Sequence, residues 1–235
     1  MQKKQLNAVA TVLYLICAVA TVCLIIPVFT KIKYEHSEKF ITGLLVFLLG
    51  FAASKVLCLA NKYVSAKIMR ITVVWMFSVY LFIVIDYTLI SDSFGRSISN
   101  IFWADKATIN EYLSQKINLV PFATVRLFIN AYKSANLQTY VVLENIFGNL
   151  FVLMPFAVFV PFLFKWINTT SRFLMVISIF VFCIEVLQIV FLTGSADIDD
   201  FILNVSGAMV AYFMLKIPMV KRFINKFIFG EINET

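Results

Sequence analysis

Long apolar stretches separated by short polar segments run along most of this 235-residue chain. Six of them are about as long as a helix that crosses a bilayer, which needs roughly 17 to 25 residues. They cover residues 6–29, 40–60, 71–90, 141–164, 173–192 and 201–217. The pattern predicts an all-α, polytopic helical membrane protein with about six transmembrane helices. Pro155 and Pro161 lie inside the fourth stretch and are expected to loosen or kink it.

A polar interval at residues 91–140 separates the third stretch from the fourth. Within it, apolar residues recur at helical spacing in two runs, which predicts two amphipathic helices at the membrane interface. The first run is Ile109, Tyr112, Leu113 and Ile117, and the second is Val125, Phe128, Ile129 and Tyr132. Pro121 lies between the runs and is unfavourable in a helix interior. Residues 217–228 repeat the pattern and predict a surface helix after the sixth span.

The composition agrees with a membrane protein. Hydrophobic residues make up 61% of the chain and charged residues 14%, whereas soluble domains carry about 25% charged residues. The net charge of +7 comes from Lys and Arg residues that flank the apolar stretches. Because these residues do not gather on one soluble face, no nucleic-acid partner is expected. At this length we expect a single membrane domain over residues 1–235.

The distribution of cationic residues predicts the orientation of the chain. Six spans place both termini on the same side of the membrane, and cytoplasmic loops are typically rich in Lys and Arg. With cytoplasmic termini, the inner segments hold twelve of the 20 Lys and Arg residues, at a higher density than the outer segments. We therefore expect a multi-pass protein of the cell membrane with both termini in the cytoplasm.

Polar residues interrupt the last three spans near their outer ends in this topology. They are Glu144, Asn145 and Asn149 in the fourth span, Glu185 and Gln188 in the fifth, and Asp197, Asp199, Asp200 and Asn204 at the start of the sixth. A charged side chain in hydrocarbon costs free energy, so such residues usually face a protein interior or a wet cavity. We predict that these nine residues form a ligand-binding site that faces the outer leaflet.

Each of these residues also has a structural interpretation. Asp197 or Asp199 can cap the sixth helix, because a carboxylate accepts hydrogen bonds from the first backbone N–H groups of a helix. The three asparagines can link helices through hydrogen bonds. Glu185 lies about two turns inside its span, where neither capping nor surface solvation explains a carboxylate. A functional or cavity-lining role is therefore favoured most strongly for Glu185.

Four short motifs resemble, in order and spacing, those of VanZ-like membrane proteins. They are residues 118–122 (NLVPF), residues 144–149 (ENIFGN) followed by Pro155, residues 185–188 (EVLQ), and residues 197–200 (DIDD) followed by Asn204 and Gly207. The resemblance covers about residues 118–212, which we interpret as a VanZ-like core. It implies a membrane protein that contributes to resistance to glycopeptide antibiotics such as the lipid-tailed teicoplanin, or to envelope homeostasis.

Three classes of function are compatible with these residues. The first is binding of an amphiphile at the outer leaflet, with membrane lipids and a lipid-linked cell-wall intermediate or a lipoglycopeptide antibiotic as partners. The alternative is a metal-assisted membrane enzyme, because Glu185, Asp199 and Asp200 offer oxygen ligands suited to Mg²⁺ or Ca²⁺. The third is a transporter, although no inverted repeat is apparent. We rank amphiphile binding first, assign no cofactor or metal, and leave enzymatic activity undecided.

Overall fold

A computed structural model describes residues 3–30, 36–60, 65–90, 105–133 and 139–224 of the chain. Its helices are α1 (Lys3–Phe29), α2 (His36–Ala60), α3 (Ser65–Ile85), α4 (Lys106–Gln115), α5 (Ala123–Lys133), α6 (Thr139–Val152), α7 (Phe156–Leu163), α8 (Thr170–Phe191), α9 (Ile198–Lys216) and α10 (Pro218–Ile224). A π-helical segment, Asp86–Ile90, continues α3, and two short strands, β1 (Ile117–Asn118) and β2 (Ala196–Asp197), complete the described structure.

Six helical segments in the described part of the chain are long and apolar enough to cross a membrane. They are Lys3–Val28, Glu38–Ala60, Lys67–Ile90, Asn145–Leu163, Thr170–Phe191 and Ile198–Lys216. The prediction of an all-α, six-span membrane protein is therefore confirmed. Helices α4 and α5 form in the polar interval where two amphipathic helices were predicted. After the sixth span, α10 covers the first part of the predicted surface helix, and residues 225–228 lie outside the described residues.

The fourth span is broken near its middle. Helix α6 ends at Val152, and Pro155 stands at the N-terminal boundary of α7. Between them, Met154 N donates to Phe151 O at 3.1 Å and Phe156 N donates to Leu153 O at 3.1 Å, so the chain turns more tightly than an α-helix. The expected effect of proline is thus a break before Pro155, whereas Pro161 lies inside α7.

The chain divides into two compact units, one of residues 1–86 with 218–235 and one of residues 87–217. In the first unit α2 packs against α1 and α3. Its buried residues include Leu24, Val46 and Val79, and Tyr14 and Thr72 share a hydrogen bond of 2.7 Å between their hydroxyls. A single domain over residues 1–235 stays a prediction.

An ion pair joins α2 to the end of α3 in the first unit. Lys39 Nζ lies 2.5 Å from Asp86 Oδ2, and both side chains are largely buried. A lone charge in an apolar environment is costly, and an opposite charge at hydrogen-bonding distance offsets much of that cost. The pair thus accounts for a charged residue near the end of the third span.

Helix α9 is the element on which the second unit is assembled. It packs against α6, α7 and α8 and also contacts α5. Near its C-terminal end, the rings of Tyr212 and Phe173 stack with centroids 4.3 Å apart. Near the middle of α9, Gly207 lies directly against the backbone carbonyl of Leu150 on α6. A Cβ atom added at Gly207 would lie 1.6 Å from the carbonyl oxygen. Only glycine allows α6 and α9 to approach this closely.

We predict that Gly207→Ala lowers the free energy of unfolding by at least about 1–3 kcal/mol, because a backbone carbonyl cannot move aside as a side chain can. Gly148→Ala on α6 is the matched control, since an added Cβ there meets nothing within 4 Å. Alanine should leave that helix unchanged or stabilise it by about 0.5–1 kcal/mol. Melting temperatures of both variants in detergent, compared with the parent, measure the difference. Equal melting temperatures for the two variants would contradict the close approach of α6 and α9.

Candidate functional site

The segment that precedes α9 is paired with the segment that follows α4. Strands β1 and β2 run parallel, with Ile117 opposite Ala196 and Asn118 opposite Asp197. Ala196 N donates to Lys116 O at 2.9 Å. The pairing is only two residues long on each strand, but it brings the NLVPF motif beside the DIDD motif.

Asp197 ties these two motifs together through its side chain. Its carboxylate caps α9 by accepting a hydrogen bond from Asp199 N at 2.9 Å. It also accepts from Asn118 Nδ2 at 3.1 Å and from the Thr124 hydroxyl at 2.5 Å. The prediction that a carboxylate caps the sixth span is confirmed for Asp197. Through the hydrogen bonds that it accepts from Asn118 and Thr124, Asp197 also holds the NLVPF segment and the first turn of α5.

Asp199 caps a different helix from the one on which it lies. One carboxylate oxygen accepts a hydrogen bond from Phe122 N, and the other accepts from Val125 N at 3.0 Å. Both N–H groups belong to the N-terminal end of α5, where the backbone has no partner within the helix. A buried carboxylate at this point also complements the helix dipole, and Asp199 is only 2% exposed.

The NLVPF segment has a strained backbone at its last residue. Phe122 adopts φ 63°, in the left-handed region, and this conformation costs a non-glycine residue about 1 kcal/mol or more. Val120, the residue before Pro121, donates a hydrogen bond from its backbone N–H to the Asn118 side-chain oxygen at 3.1 Å, and this bond closes a turn. The hydrogen bond to Asp199 holds Phe122 in its strained conformation.

Glu185 and Gln188 occupy one face of α8 behind this loop. Glu185 Oε2 accepts a hydrogen bond from Asp197 N at 3.1 Å, so the carboxylate fixes the backbone of the DIDD motif. Gln188 donates from Nε2 to Thr88 O at 3.1 Å. Glu185 therefore has a structural contact that its position in the span did not indicate.

Tyr112 of α4 contacts the backbone at the end of α8. Leu192 ends α8 with φ 51°, and Thr193 N donates to Gln188 O at 2.9 Å. The Tyr112 hydroxyl of α4 lies 3.2 Å from Gln188 O and 3.0 Å from Gly194 O. Among the described residues, Gln188 Oε1 and Thr193 Oγ1 are buried polar atoms with no hydrogen-bond partner. Both atoms retain hydrogen-bonding capacity that the described part of the protein does not use.

Asp200 connects α9 to α6. Asn149 Nδ2 donates to Asp200 Oδ1 at 2.5 Å, which is the interhelical asparagine bond that the sequence suggested. Asn204 Nδ2 donates to Asp200 O at 2.8 Å and thus bonds within its own helix. Asn145 lies exposed on α6. The side chain of Glu144 lies outside the described residues, so its predicted participation stays a prediction.

The carboxylates of the DIDD motif are held by N–H and O–H donors. In the ranges that the structure describes, no group of three or more His, Cys, Asp or Glu residues is arranged to hold a metal ion. A divalent ion bound by Asp199 would have to replace hydrogen bonds from two backbone N–H groups. The donor set around Asp199 therefore fits backbone amides better than a cation.

Three residues that complete this network were not among the nine predicted site residues. Thr124 donates a hydrogen bond to Asp197, and the Tyr112 hydroxyl contacts the carbonyls at the end of α8. Asn118 donates to Asp197 and accepts a hydrogen bond from Val120 N within the NLVPF segment. Asn118 was noted only as part of the NLVPF motif. Thr124 lies two residues beyond that motif, in the first turn of α5. The sequence feature that could have indicated its role is a hydroxyl side chain at the predicted start of a helix, next to the NLVPF motif.

The fold and the site define a six-span helical membrane protein in which acidic residues at the start of the last span anchor a loop and an amphipathic helix. The family model described as VanZ/LLP1 matches residues 77–220, which is more than half of the chain. The chain belongs to the VanZ/LLP1 family, as the four motifs indicated. No curated protein and no solved structure matches it.

We predict that Asp199→Asn loosens α5. An amide has only one acceptor oxygen, so one of the two backbone N–H groups would face an NH₂ donor. Leaving a buried donor unsatisfied costs about 1–3 kcal/mol. Hydrogen exchange at Phe122 and Val125 should therefore become faster in this variant, and the melting temperature should fall.

Asp105→Asn is the matched control for this substitution. Asp105 caps α4 by accepting a hydrogen bond from Thr108 N at 2.8 Å, and hydrogen bonding from the side chain and the backbone of Thr108 lowers the pKa of this exposed carboxyl. Asparagine is an equally good N-cap, so exchange in α4 should change little. Unchanged exchange at both amides in Asp199→Asn would contradict the role assigned to Asp199.

Proposed function

We propose that this protein binds a lipid-tailed amphiphile at the outer leaflet of the cell membrane. The proposed ligand is a lipid-linked cell-wall intermediate or a lipoglycopeptide antibiotic. The proposed role is resistance to teicoplanin-type glycopeptides or envelope homeostasis. Membership of the VanZ/LLP1 family agrees with this role, because the resemblance to VanZ-like proteins implies it.

The observation that carries the proposal is an exposed apolar loop beside a polar cluster. The loop is the NLVPF segment, residues 118–122, and the polar cluster consists of Asn149, Asp197, Asp199 and Asp200. Leu119 is 74% exposed, Val120 65% and Phe122 57%, whereas the carboxylates of Asp197 and Asp199 behind them are buried. Ligand sites combine apolar surface with a few well-placed polar groups. An amphiphile has the same two parts, an acyl chain and a hydrogen-bonding head.

The loop is held in place before any ligand arrives. Val120 N and Phe122 N of the loop, and Val125 N in the first turn of α5, each donate a hydrogen bond to a side-chain oxygen. These bonds fix the backbone of the loop and its junction with the helix. Ordering a flexible loop on binding costs free energy, and a loop that is already ordered avoids that cost. The exposed apolar side chains are thus presented as a preformed surface for an acyl chain.

The proposed contact for the head group lies at the bond between Asn149 and Asp200. This bond joins α6 to α9 one residue after Asp199, which anchors the loop. Amide and carboxylate groups of this kind bind the hydroxyl and N–H groups of sugars and peptides. Because Glu185 and Asp199 accept backbone N–H bonds, we assign them to support of the site and not to direct contact with the ligand.

The outer-leaflet position can be tested with an impermeant thiol reagent in intact cells. Lys106→Cys on α4 should react, and Lys165→Cys, between α7 and α8, should not. Both lysines are exposed, so burial within the protein does not distinguish the two variants. The parent protein with its native cysteines gives the background. Labelling at Lys165 but not at Lys106 would place the loop on the cytoplasmic side and overturn the outer-leaflet assignment.

Ligand binding can be tested by melting the purified protein in detergent. We expect a lipid-tailed glycopeptide to raise the melting temperature, because a ligand at a hundredfold excess over Kd stabilises the folded state by about 2.7 kcal/mol. The same glycopeptide core without its acyl chain should have little effect. Leu119→Ser should weaken binding about tenfold, which is the effect expected from losing one buried leucine contact.

Leu59→Ser is the matched control, because Leu59 is 77% exposed and lies on α2. Its affinity for the lipid-tailed compound should equal that of the parent. A lipid-linked cell-wall intermediate is tested in the same way. Stabilisation by Mg²⁺ or Ca²⁺ that disappears in Asp200→Asn, with no effect of either amphiphile, would contradict the proposal and favour a metal-assisted enzyme.

A further inference from the structure

Helix α5 presents two opposite sectors around its axis, with a flank on each side between them. Successive residues of an α-helix are separated by 100°, so Thr124, Phe128 and Ala131 share one sector. These three side chains are partly buried, and α5 packs on α6 and α9. The first sector therefore faces the protein.

The sector opposite the protein carries positive charge. Arg126, Asn130 and Lys133 lie there, and all three are exposed. The helix contains no acidic residue. Arg126 and Lys133 are separated by about 10 Å along the axis at a rise of 1.5 Å per residue, so they form a short cationic stripe.

The two flanks between these sectors are apolar. Leu127 lies on one flank, and Ile129 and Tyr132 lie on the other, all exposed. A helix that packs on protein through one face, exposes cations on the opposite face and carries apolar flanks is suited to lie in the plane of a membrane interface. The flanks would enter the region of the acyl chains while the cations stay among the headgroups.

The direction of the cationic stripe is fixed by the structure. Asp199 binds the N-terminal amides of α5, and Asp197 binds Thr124 in its first turn. Both bonds lie on the side that faces the protein, so α5 cannot rotate without breaking them. The stripe is therefore held facing away from α6 and α9.

We propose that α5 is a docking surface for the headgroups of anionic phospholipids in the bilayer that surrounds the protein. Arg126 and Lys133 attract the lipid phosphates, and Leu127, Ile129 and Tyr132 contact the adjoining acyl chains. The charge of the stripe and the apolar flanks beside it match the two parts of such a lipid. This surface is separate from the polar cluster that we propose to bind the amphiphile, and it does not depend on that proposal.

The test measures the lipids next to α5 in the full chain reconstituted into liposomes. A fluorophore is attached to Leu127→Cys, and its quenching by acyl-labelled nitroxide phosphatidylglycerol is compared with quenching by the corresponding phosphatidylcholine. We expect at least about twofold stronger quenching by the anionic lipid, since each cation near a surface attracts anionic lipid appreciably. The preference should disappear at 1 M salt, where the screening length is about 3 Å.

Arg126→Gln/Lys133→Gln should bring the two quenching values together while quenching itself persists. The matched control is Lys67→Gln/Arg70→Gln on α3, which removes the same two kinds of charge from exposed positions and should keep the preference. Melting temperatures equal to that of the parent show that the variants fold. The protein without the Leu127→Cys change supplies the background from native cysteines.

Three results would overturn the proposal. The first is equal quenching by the two lipids in the parent. The second is a preference that survives in Arg126→Gln/Lys133→Gln. The third is loss of the preference on adding 10 mM inorganic phosphate at constant ionic strength, which would identify a site for a free anion instead of a lipid surface.

Discussion

The second unit depends on the hydrogen bonds that the Asp199 carboxylate accepts from the backbone at the start of α5. The start of a helix carries backbone N–H groups without partners, and near a membrane little water is present to satisfy them. Asp199 supplies two acceptor oxygens to α5 from another helix. Because this carboxylate is buried beside the cap of its own helix, the position of α5 follows directly from the position of α9.

The close contact between α6 and α9 determines whether the rest of the network can form. Gly207 brings the backbones together at Leu150, and one residue earlier on α6 the side chain of Asn149 reaches Asp200. A wider separation would lengthen that bond, since a short amide side chain has little reach. Gly207 therefore sets the short distance between α6 and α9 that the hydrogen bond between Asn149 and Asp200 requires.

The sequence alone predicted the six spans, the two amphipathic helices, the family and a carboxylate cap, by Asp197 or Asp199, at the start of the sixth span. These features depend on local patterns, namely hydrophobic length, helical spacing and short motifs. The partner of Asp199 could not be predicted, because Phe122 lies 77 positions away and contributes a backbone group that has no sequence signature. Glu185 illustrates the same limit, because its place in an apolar span did not indicate that it accepts a hydrogen bond from Asp197 N. A functional role for this carboxylate stays a prediction. The break before Pro155 was expected only as a kink, since the choice between bending and breaking depends on packing around α7.

The pairing between the NLVPF and DIDD motifs has a consequence for biosynthesis. Asn118 and Asp197 are 79 positions apart, so the ribosome needs about 4 to 16 s to make the second motif after the first, at about 5–20 residues per second. During that interval α5 lacks the acceptors that cap it, and the fourth and fifth spans must enter the membrane without their contacts to α9. The last span therefore completes the assembly, and a chain stalled before residue 197 would leave the loop and its apolar side chains open to chaperones or proteases.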